Sequence, residues 1–130
     1  MIVIDSSALV AILSDEPERT QFIDAIVDYG TPSVAAPTYL ETAMVLELRF
    51  GARVDRELDV LIEEVGISLV PLDRAQATIA REAFQKFGKG LHKAGLNFGD
   101  CFSYALAKSL DAPLLFKGND FPLTDVRRAL

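Results

Sequence analysis

The chain opens on Met1-Ile2-Val3-Ile4-Asp5, an apolar, β-branched run that ends abruptly in an acid. The run does not alternate between apolar and polar residues, so it reads as a strand buried on both faces. Such a strand needs covering layers on either side, and the rest of the sequence supplies them. Ser6 or Ser7 is placed to cap a short apolar helix over Ala8–Leu13. Ser14-Asp15-Glu16-Pro17 punctuates, and Phe22, Ile23, Ile26 and Val27 recur at helical spacing within a helix from Glu18 to Tyr29, which Gly30 ends. Ser33–Ala36 reads as a second strand, followed by a helix from Pro37 or Thr38 through Phe50 with wide apolar faces, and then by an amphipathic helix over Asp55–Val65. Ile67–Pro71 is a third strand, and Asp73 caps a helix to about Phe87. Asp100–Leu110 is helical, Pro113–Phe116 is a fourth short strand, and Lys117–Leu130 is mostly turn with room for one more short strand or helix.

Strands alternating with helices imply an α/β architecture around a parallel sheet. At 130 residues the chain is sized for one domain, 1–130, and there is no internal repeat or low-complexity tract. The single cysteine, Cys101, forbids an intrachain disulfide and suits a reducing cytoplasm; its place on a helix makes it a core residue. The N-terminus lacks the basic region and apolar run of a signal peptide, and no stretch approaches the roughly 18 apolar residues of a membrane span.

The net charge of −6 argues against a nucleic-acid binder unless the acids gather around a cation, which reverses the local field. The distribution of the nineteen acids therefore matters. Sites in open parallel sheets form beyond the carboxyl ends of the strands. Asp5 ends the first strand, Glu41 lies in the first turns of the helix after the second, Asp100 opens the helix before the fourth, and Asp120 follows the fourth. Glu16, Glu18, Glu57, Glu63 and Glu64 fall instead on polar helix faces or in turns. Converging carboxylates repel unless a cation compensates. Oxygen donors without His or Cys suit Mg²⁺, with Mn²⁺ as an alternative, and such an ion activates water for phosphodiester hydrolysis.

A glycine-rich segment, Gly88 to Gly99, carries four glycines, two lysines and the only histidine, His92. Lys86, Lys89 and Lys93 are candidate contacts for substrate phosphates, with the glycines letting backbone N–H groups come close; the bland alternative is a solvated loop. His92 has no acid pair or cysteine nearby in sequence to support a triad or zinc site and is either solvent-exposed or facing the substrate. Phe22, Phe84 and Phe102 stand at helical spacings as core residues rather than base-stacking platforms.

Four segments together resemble the PIN-domain ribonucleases, and in particular the VapC toxins of bacterial toxin–antitoxin pairs. They are Val3-Ile4-Asp5-Ser6-Ser7-Ala8-Leu9-Val10, Tyr39-Leu40-Glu41-Thr42-Ala43, Gly95 through Ala107 around Asp100, and Leu114-Leu115-Phe116-Lys117-Gly118-Asn119-Asp120-Phe121. The resemblance implies a three-layer α/β/α sandwich with a short central parallel sheet and Mg²⁺-dependent endoribonuclease activity. It also implies inhibition by a small VapB-type antitoxin and a homodimer. Asp5, Glu41 and Asp100 match the acidic positions as catalytic and metal residues, and Ser7 matches the supporting hydroxyl. The last motif departs from the pattern: Phe116 and Gly118 stand where many relatives carry a threonine and then an acid, and the acid comes later, at Asp120.

Two other readings remain at this stage. A degenerate member of the fold that only binds or assembles is compatible with the departure at Gly118. A phosphatase of the haloacid-dehalogenase type needs a second aspartate two residues after the first, and Ser7 occupies that place.

Overall fold

The computed structural model describes residues 1–130, the side chain of Asp55 excepted. The elements are β1 (Ile2–Ile4), α1 (Ser6–Leu13), α2 (Arg19–Tyr29), β2 (Pro32–Ala35), α3 (Ala36–Phe50), α4 (Arg53–Val65), β3 (Ser68–Val70), α5 (Arg74–Phe87), α6 (Phe98–Leu110) and β4 (Leu114–Leu115), followed by a 3-10 turn, Phe121–Leu123. The strands form one sheet in the order β3-β2-β1-β4, with every pairing parallel. β1 is central: Val3 pairs with both Ser33 and Leu114. Its three residues are buried, as the uninterrupted apolar run requires.

Side chains alternate across the sheet and divide the core into two halves. Ile2, Ile4, Val34 and Leu115 pack with Leu9, Ile12, Phe22, Ile26, Leu46 and Leu58. Val3, Ala35 and Leu114 face the opposite side, against Leu96, Tyr104, Leu106 and Phe121. The sheet thus lies between α1–α4 on one face and α5–α6 on the other, the expected α/β/α sandwich. Among the described residues no helix is long and apolar enough to cross a membrane.

Several local expectations need correction. Asp5, not Ser6 or Ser7, caps α1: it has extended backbone and its carboxylate accepts the Ser7 N–H. A carboxylate is as good a cap as a hydroxyl, and β1 leaves it at the right position. α6 starts at Phe98 with Asn97 as its cap, so Asp100 occupies the third helical position rather than the first. α4 begins at Arg53, two residues before the expected start. Phe22 is core, but Phe84 is 41 % exposed and Phe102 only partly buried. The helix α3 uses one of its apolar faces; Leu40, Met44 and Leu48 remain exposed on the other. The C-terminal tail covers the β4 edge, with the Leu114 N–H donating to Arg127 O at 2.8 Å and the Ala129 N–H to Leu114 O at 2.9 Å.

Candidate active site

Asp5 is 2 % exposed and is held from both sides. Its Oδ2 accepts the Ser7 N–H at 3.1 Å and the Ser7 hydroxyl at 2.6 Å. Its Oδ1 accepts the Ser103 hydroxyl, from α6, at 2.5 Å. Ser103 gives its proton to Asp5, so Thr38 Oγ1, 3.4 Å from Ser103 Oγ, is the donor in that pair. Thr38 and Ser103 are fully buried; the carboxylate rests on hydroxyls from α1 and α6, with the α3 hydroxyl of Thr38 behind Ser103. Ser7 is fixed in turn by the Lys117 N–H, which donates to its Oγ at 3.0 Å. The Lys117 ammonium pairs with Glu16 at 2.6 Å and Glu18 at 2.7 Å, tying the segment after β4 to the α1–α2 connection.

Glu41 lies in the second turn of α3 and leans on the first turn of α6. A Cβ added at Gly99 would stand 2.2 Å from Glu41 Oε2, so only glycine leaves room for this carboxylate. Burial raises the Glu41 pKa, the Ser6 hydroxyl bonded to it opposes the rise, and the Asp5 charge adds to it.

Asp100 closes a capping box with Asn97. Its N–H donates to Asn97 Oδ1 at 2.9 Å, and its Oδ2 accepts the Asn97 N–H at 3.0 Å. Burial pushes its pKa up to about 7 against the pull of the Asn97 N–H, and the charges of Asp5, Asp120 and Glu41 raise it further. All four acids expected at the carboxyl edge of the sheet are thus electrostatic neighbours around Asp100. Asp120 is exposed, at the cap position of the 3-10 turn with no capping bond of its own, and Asp100 feels its charge ahead of that of Glu41. Among the described residues no three acid, histidine or cysteine side chains stand close enough together to hold an ion as they are placed. The donor set nevertheless fits a hard divalent cation: oxygens only, with Asp5 buried, Glu41 and Asp100 half-buried and Asp120 exposed, and mutually repelling.

The residues that sequence reasoning missed are these supports: Ser6, Gly99, Ser103, Thr38, Asn97 and Lys117. Ser103 carried a signal, being a hydroxyl three residues after Asp100 in an otherwise apolar helix face. Lys117 carried none, because its partners lie about a hundred residues away.

The glycine-rich segment is ordered and closed on itself. The Lys89 N–H donates to Leu96 O at 2.9 Å and the Leu96 N–H to Phe87 O at 2.9 Å, which brings the end of α5 beside the start of α6. The N–H groups of Gly88 and Gly95 are taken by Phe84 O and His92 O, so they are not offered to a phosphate. These glycines serve the loop itself: Gly90 and Gly95 have φ of 88° and 66°, and a Cβ on Gly88 would strike Phe84 O. His92 is half-buried; its Nδ1 accepts the Ala94 N–H at 3.0 Å and its ring stands edge-on to Phe87. Lys86, Lys89 and Lys93 are exposed on this scaffold. Cys101 is buried, and burial beside Asp100 pushes its thiol pKa up to about 11, so it is a core residue as expected and not a nucleophile.

The PIN domain family model matches residues 2–126. Over 125 residues the chain is 53 % identical to a ribonuclease VapC of Mycolicibacterium smegmatis, covering 96 % of this chain and 97 % of the relative. It is 50 % identical to ribonuclease VapC30 of Mycobacterium tuberculosis, covering 96 % and 95 %. Among solved structures, that of Mycobacterium tuberculosis VapC20, described as a sarcin-ricin loop cleaving toxin, superposes with a TM-score of 0.78 at 14 % identity, covering 97 % of this chain and 96 % of the other. VapBC2 of Rickettsia felis, solved with a DNA fragment from its promoter, gives 0.73 at 13 % identity, covering 98 % and 96 %. By family model and by identity along nearly its whole length, the chain belongs to the PIN domain family and, within it, to the VapC ribonucleases.

Proposed function

We propose that residues 1–130 form one nuclease domain, an endoribonuclease toxin that hydrolyses RNA phosphodiesters in the cytoplasm and works as a homodimer restrained by a small VapB-type antitoxin. Asp5, Glu41 and Asp100 hold Mg²⁺, which Mn²⁺ can replace, and Asp120 assists from the rim. The observation that carries this reading is the convergence of Asp5, Glu41 and Asp120 on Asp100, a half-buried carboxyl in the first turn of α6. A fold that only needed a helix cap would gain nothing from four carboxylates repelling one another at one sheet edge. The departure at Gly118 does not favour the degenerate alternative, because Asp120, two residues on, brings its charge to bear on Asp100.

A bound divalent cation supplies Lewis acidity at the scissile phosphate. The chain's own residues do the positioning. Ser7 and Ser103 fix both oxygens of Asp5, so the group meets the ion without reorganising. Asn97 holds one oxygen of Asp100 and leaves the other to the site. Near neutral pH Asp100 carries a proton part of the time, and it must release that proton to serve as an anionic ligand. The exposed Lys86, Lys89 and Lys93 flank the start of α6 and suit the RNA backbone. The same negative pocket suits a basic side chain of the antitoxin, through charge-assisted hydrogen bonds.

The test is cleavage of a single-stranded RNA library with Mg²⁺, after EDTA, and after adding back Mg²⁺ or Mn²⁺. Cleavage that disappears with EDTA and returns with either ion is expected. Cleavage that persists in EDTA overturns the metal assignment, and none under any condition overturns the nuclease reading.

A further inference from the structure

Glu16 and Glu18 stand two residues apart in the connection between α1 and α2, outside the group of acids that surrounds Asp100, and both are half-buried. Two like charges this close call for a cation, and the Lys117 ammonium lies 2.6 Å from Glu16 Oε1 and 2.7 Å from Glu18 Oε2. The acceptors sit on a fixed turn: the Glu16 N–H donates to Ala11 O at 2.9 Å and the Arg19 N–H to Glu16 O at 3.0 Å. Glu18 precedes α2 without a side-chain capping bond, so its carboxylate serves the lysine and not the helix. At the backbone of the same lysine, the N–H donates to Ser7 Oγ at 3.0 Å, and the Ser7 hydroxyl donates to Asp5 Oδ2 at 2.6 Å. Lys117 also opens the loop that carries Asp120. Residues 117–120 are exposed, between the half-buried Phe116 and the buried Phe121, whose ring centroids are 5.1 Å apart. The rings close the base of this loop. Among the described residues, the hydrogen bonds that attach 117–120 to other elements are those of Lys117. Gly118 follows at φ 123°, a conformation that restrains nothing by itself. Exposed ion pairs add little to stability, so three charges joined on the rim of the site are better explained by what they place.

We propose that Lys117, Glu16 and Glu18 form an ionic clamp that positions the acidic centre from outside it. The inference rests on the ribonuclease reading above and adds to it residues that touch neither the ion nor the RNA. With its ammonium held by both glutamates, Lys117 keeps its N–H aimed at Ser7 Oγ, and the Ser7 hydroxyl is left to donate its proton to Asp5. The clamp also sets the direction in which the chain leaves β4, and so the place from which Asp120 acts on Asp100. The competing role for an exposed lysine beside a nuclease centre is to bind a phosphate directly. Here two carboxylates already occupy the ammonium, and a phosphate would have to displace one of them. The two roles give opposite signs for the glutamates. Neutralising them slackens a clamp, but it frees a lysine that binds phosphate.

Lys117→Met and the double variant Glu16→Gln/Glu18→Gln are each expected to lower Mg²⁺-dependent RNA cleavage about 10-fold, the low end of what losing an outer support costs a metal site. Mn²⁺ affinity, read from the electron paramagnetic resonance signal of the free ion, is expected to fall with it. The triple variant is expected to lose no more than either alone, because both sets of changes break one clamp. Lys117→Arg keeps a cation between the glutamates and is expected to recover most of the cleavage. A further readout needs neither metal nor RNA. In EDTA, exchange of the Lys117 amide hydrogen, followed by NMR, is expected to quicken severalfold in Lys117→Met and in the double glutamine variant, and not in Lys117→Arg. Additive losses in the triple variant overturn the clamp, as does unchanged amide exchange in Lys117→Met. Cleavage that rises when the glutamates are neutralised overturns it in favour of a phosphate-binding lysine. A loss of cleavage no larger than the loss of folded protein, measured by circular dichroism, overturns it in favour of a structural ion pair. Failure of the wild type to cut RNA in Mg²⁺ overturns the underlying reading instead, and the amide exchange still decides whether the clamp holds Ser7.

Discussion

Asp100 shows how far one residue's environment reaches. Its folded pKa of about 7 lies above the ordinary value of 3.8. Between those values the folded protein holds a proton that the unfolded chain has released, so metal-free stability falls as pH rises through that window and levels off above it. Asp100→Asn removes the ionisation, and at pH 8 in EDTA it is expected to raise stability by on the order of 1 kcal/mol, solvent screening included, with less than half of that effect at pH 5. Thermal unfolding at the two pH values checks this. The same variant is expected to lose Mg²⁺-dependent cleavage by a hundredfold or more; a wild-type rate would remove Asp100 from the site. Asp120→Asn takes away one of the charges that raise Asp100, so the stability window is expected to close at lower pH, with a smaller loss of cleavage. At Gly99 the conflict is steric. A methyl group there meets Glu41 Oε2 at 2.2 Å, and since the obstacle is the end of a side chain, Glu41 moves and the backbone does not. Alanine also favours the helix by about 1 kcal/mol, which offsets part of the crowding. Gly99→Ala is therefore expected to stay folded by circular dichroism and to lose most of its cleavage.

Among the elements, what the sequence revealed follows from how local the cause is. β1 was legible because three successive buried residues leave no alternation, and β4 because it is short and apolar between turns. The placement of Asp5, Glu41, Asp100 and Asp120 at one edge followed from strand direction alone. The start of α6 was misread because Asp100 looks like a cap, whereas Asn97 three residues earlier takes that place and Asp100 answers it. Which of the wide apolar faces of α3 stays exposed was not legible, because apolar periodicity reports which residues share a face and not whether anything covers it. The Asn97–Asp100 box couples helix and site, since one hydrogen-bond pair starts α6 and orients an acid. Asn97→Ala is expected to cost about 1 kcal/mol, measured by denaturant unfolding, and to lower cleavage more than that loss of folded protein explains. Asn97→Ser keeps an acceptor for the Asp100 N–H and is expected to recover most of both. Equal loss of activity in the two variants would separate the cap from the site.

At the scale of the whole molecule, a protein of net charge −6 has to attract a polyanion to a cluster of its own acids. A bound cation offsets part of that repulsion at the site but leaves the approach unfavourable. Local charge must act within a Debye length of about 8 Å at physiological salt. Lys86, Lys89 and Lys93 are suited to this because the loop that carries Lys89 and Lys93 is fixed by its own backbone hydrogen bonds and joins α5 to the start of α6. The cations are thus presented from an ordered frame, and less side-chain and backbone freedom is lost when phosphates bind than a floppy loop would lose. Their contribution is electrostatic and independent of sequence, because the loop's glycine N–H groups at 88 and 95 are engaged internally. Each phosphate neutralised on a single strand contributes about −0.7 to the slope of log affinity against log salt. Changing all three lysines to alanine is therefore expected to flatten that slope by up to about 2 and to weaken binding about equally for every RNA sequence. Mg²⁺ affinity at the acids should stay near that of the wild type. Fluorescence anisotropy of labelled single-stranded RNA over a salt series, with Asp100→Asn in the background to prevent cleavage, measures the slope and the loss of RNA binding. An unchanged slope would make these lysines a solvated surface and move the search for the RNA path to Arg49, Arg53 and Arg56.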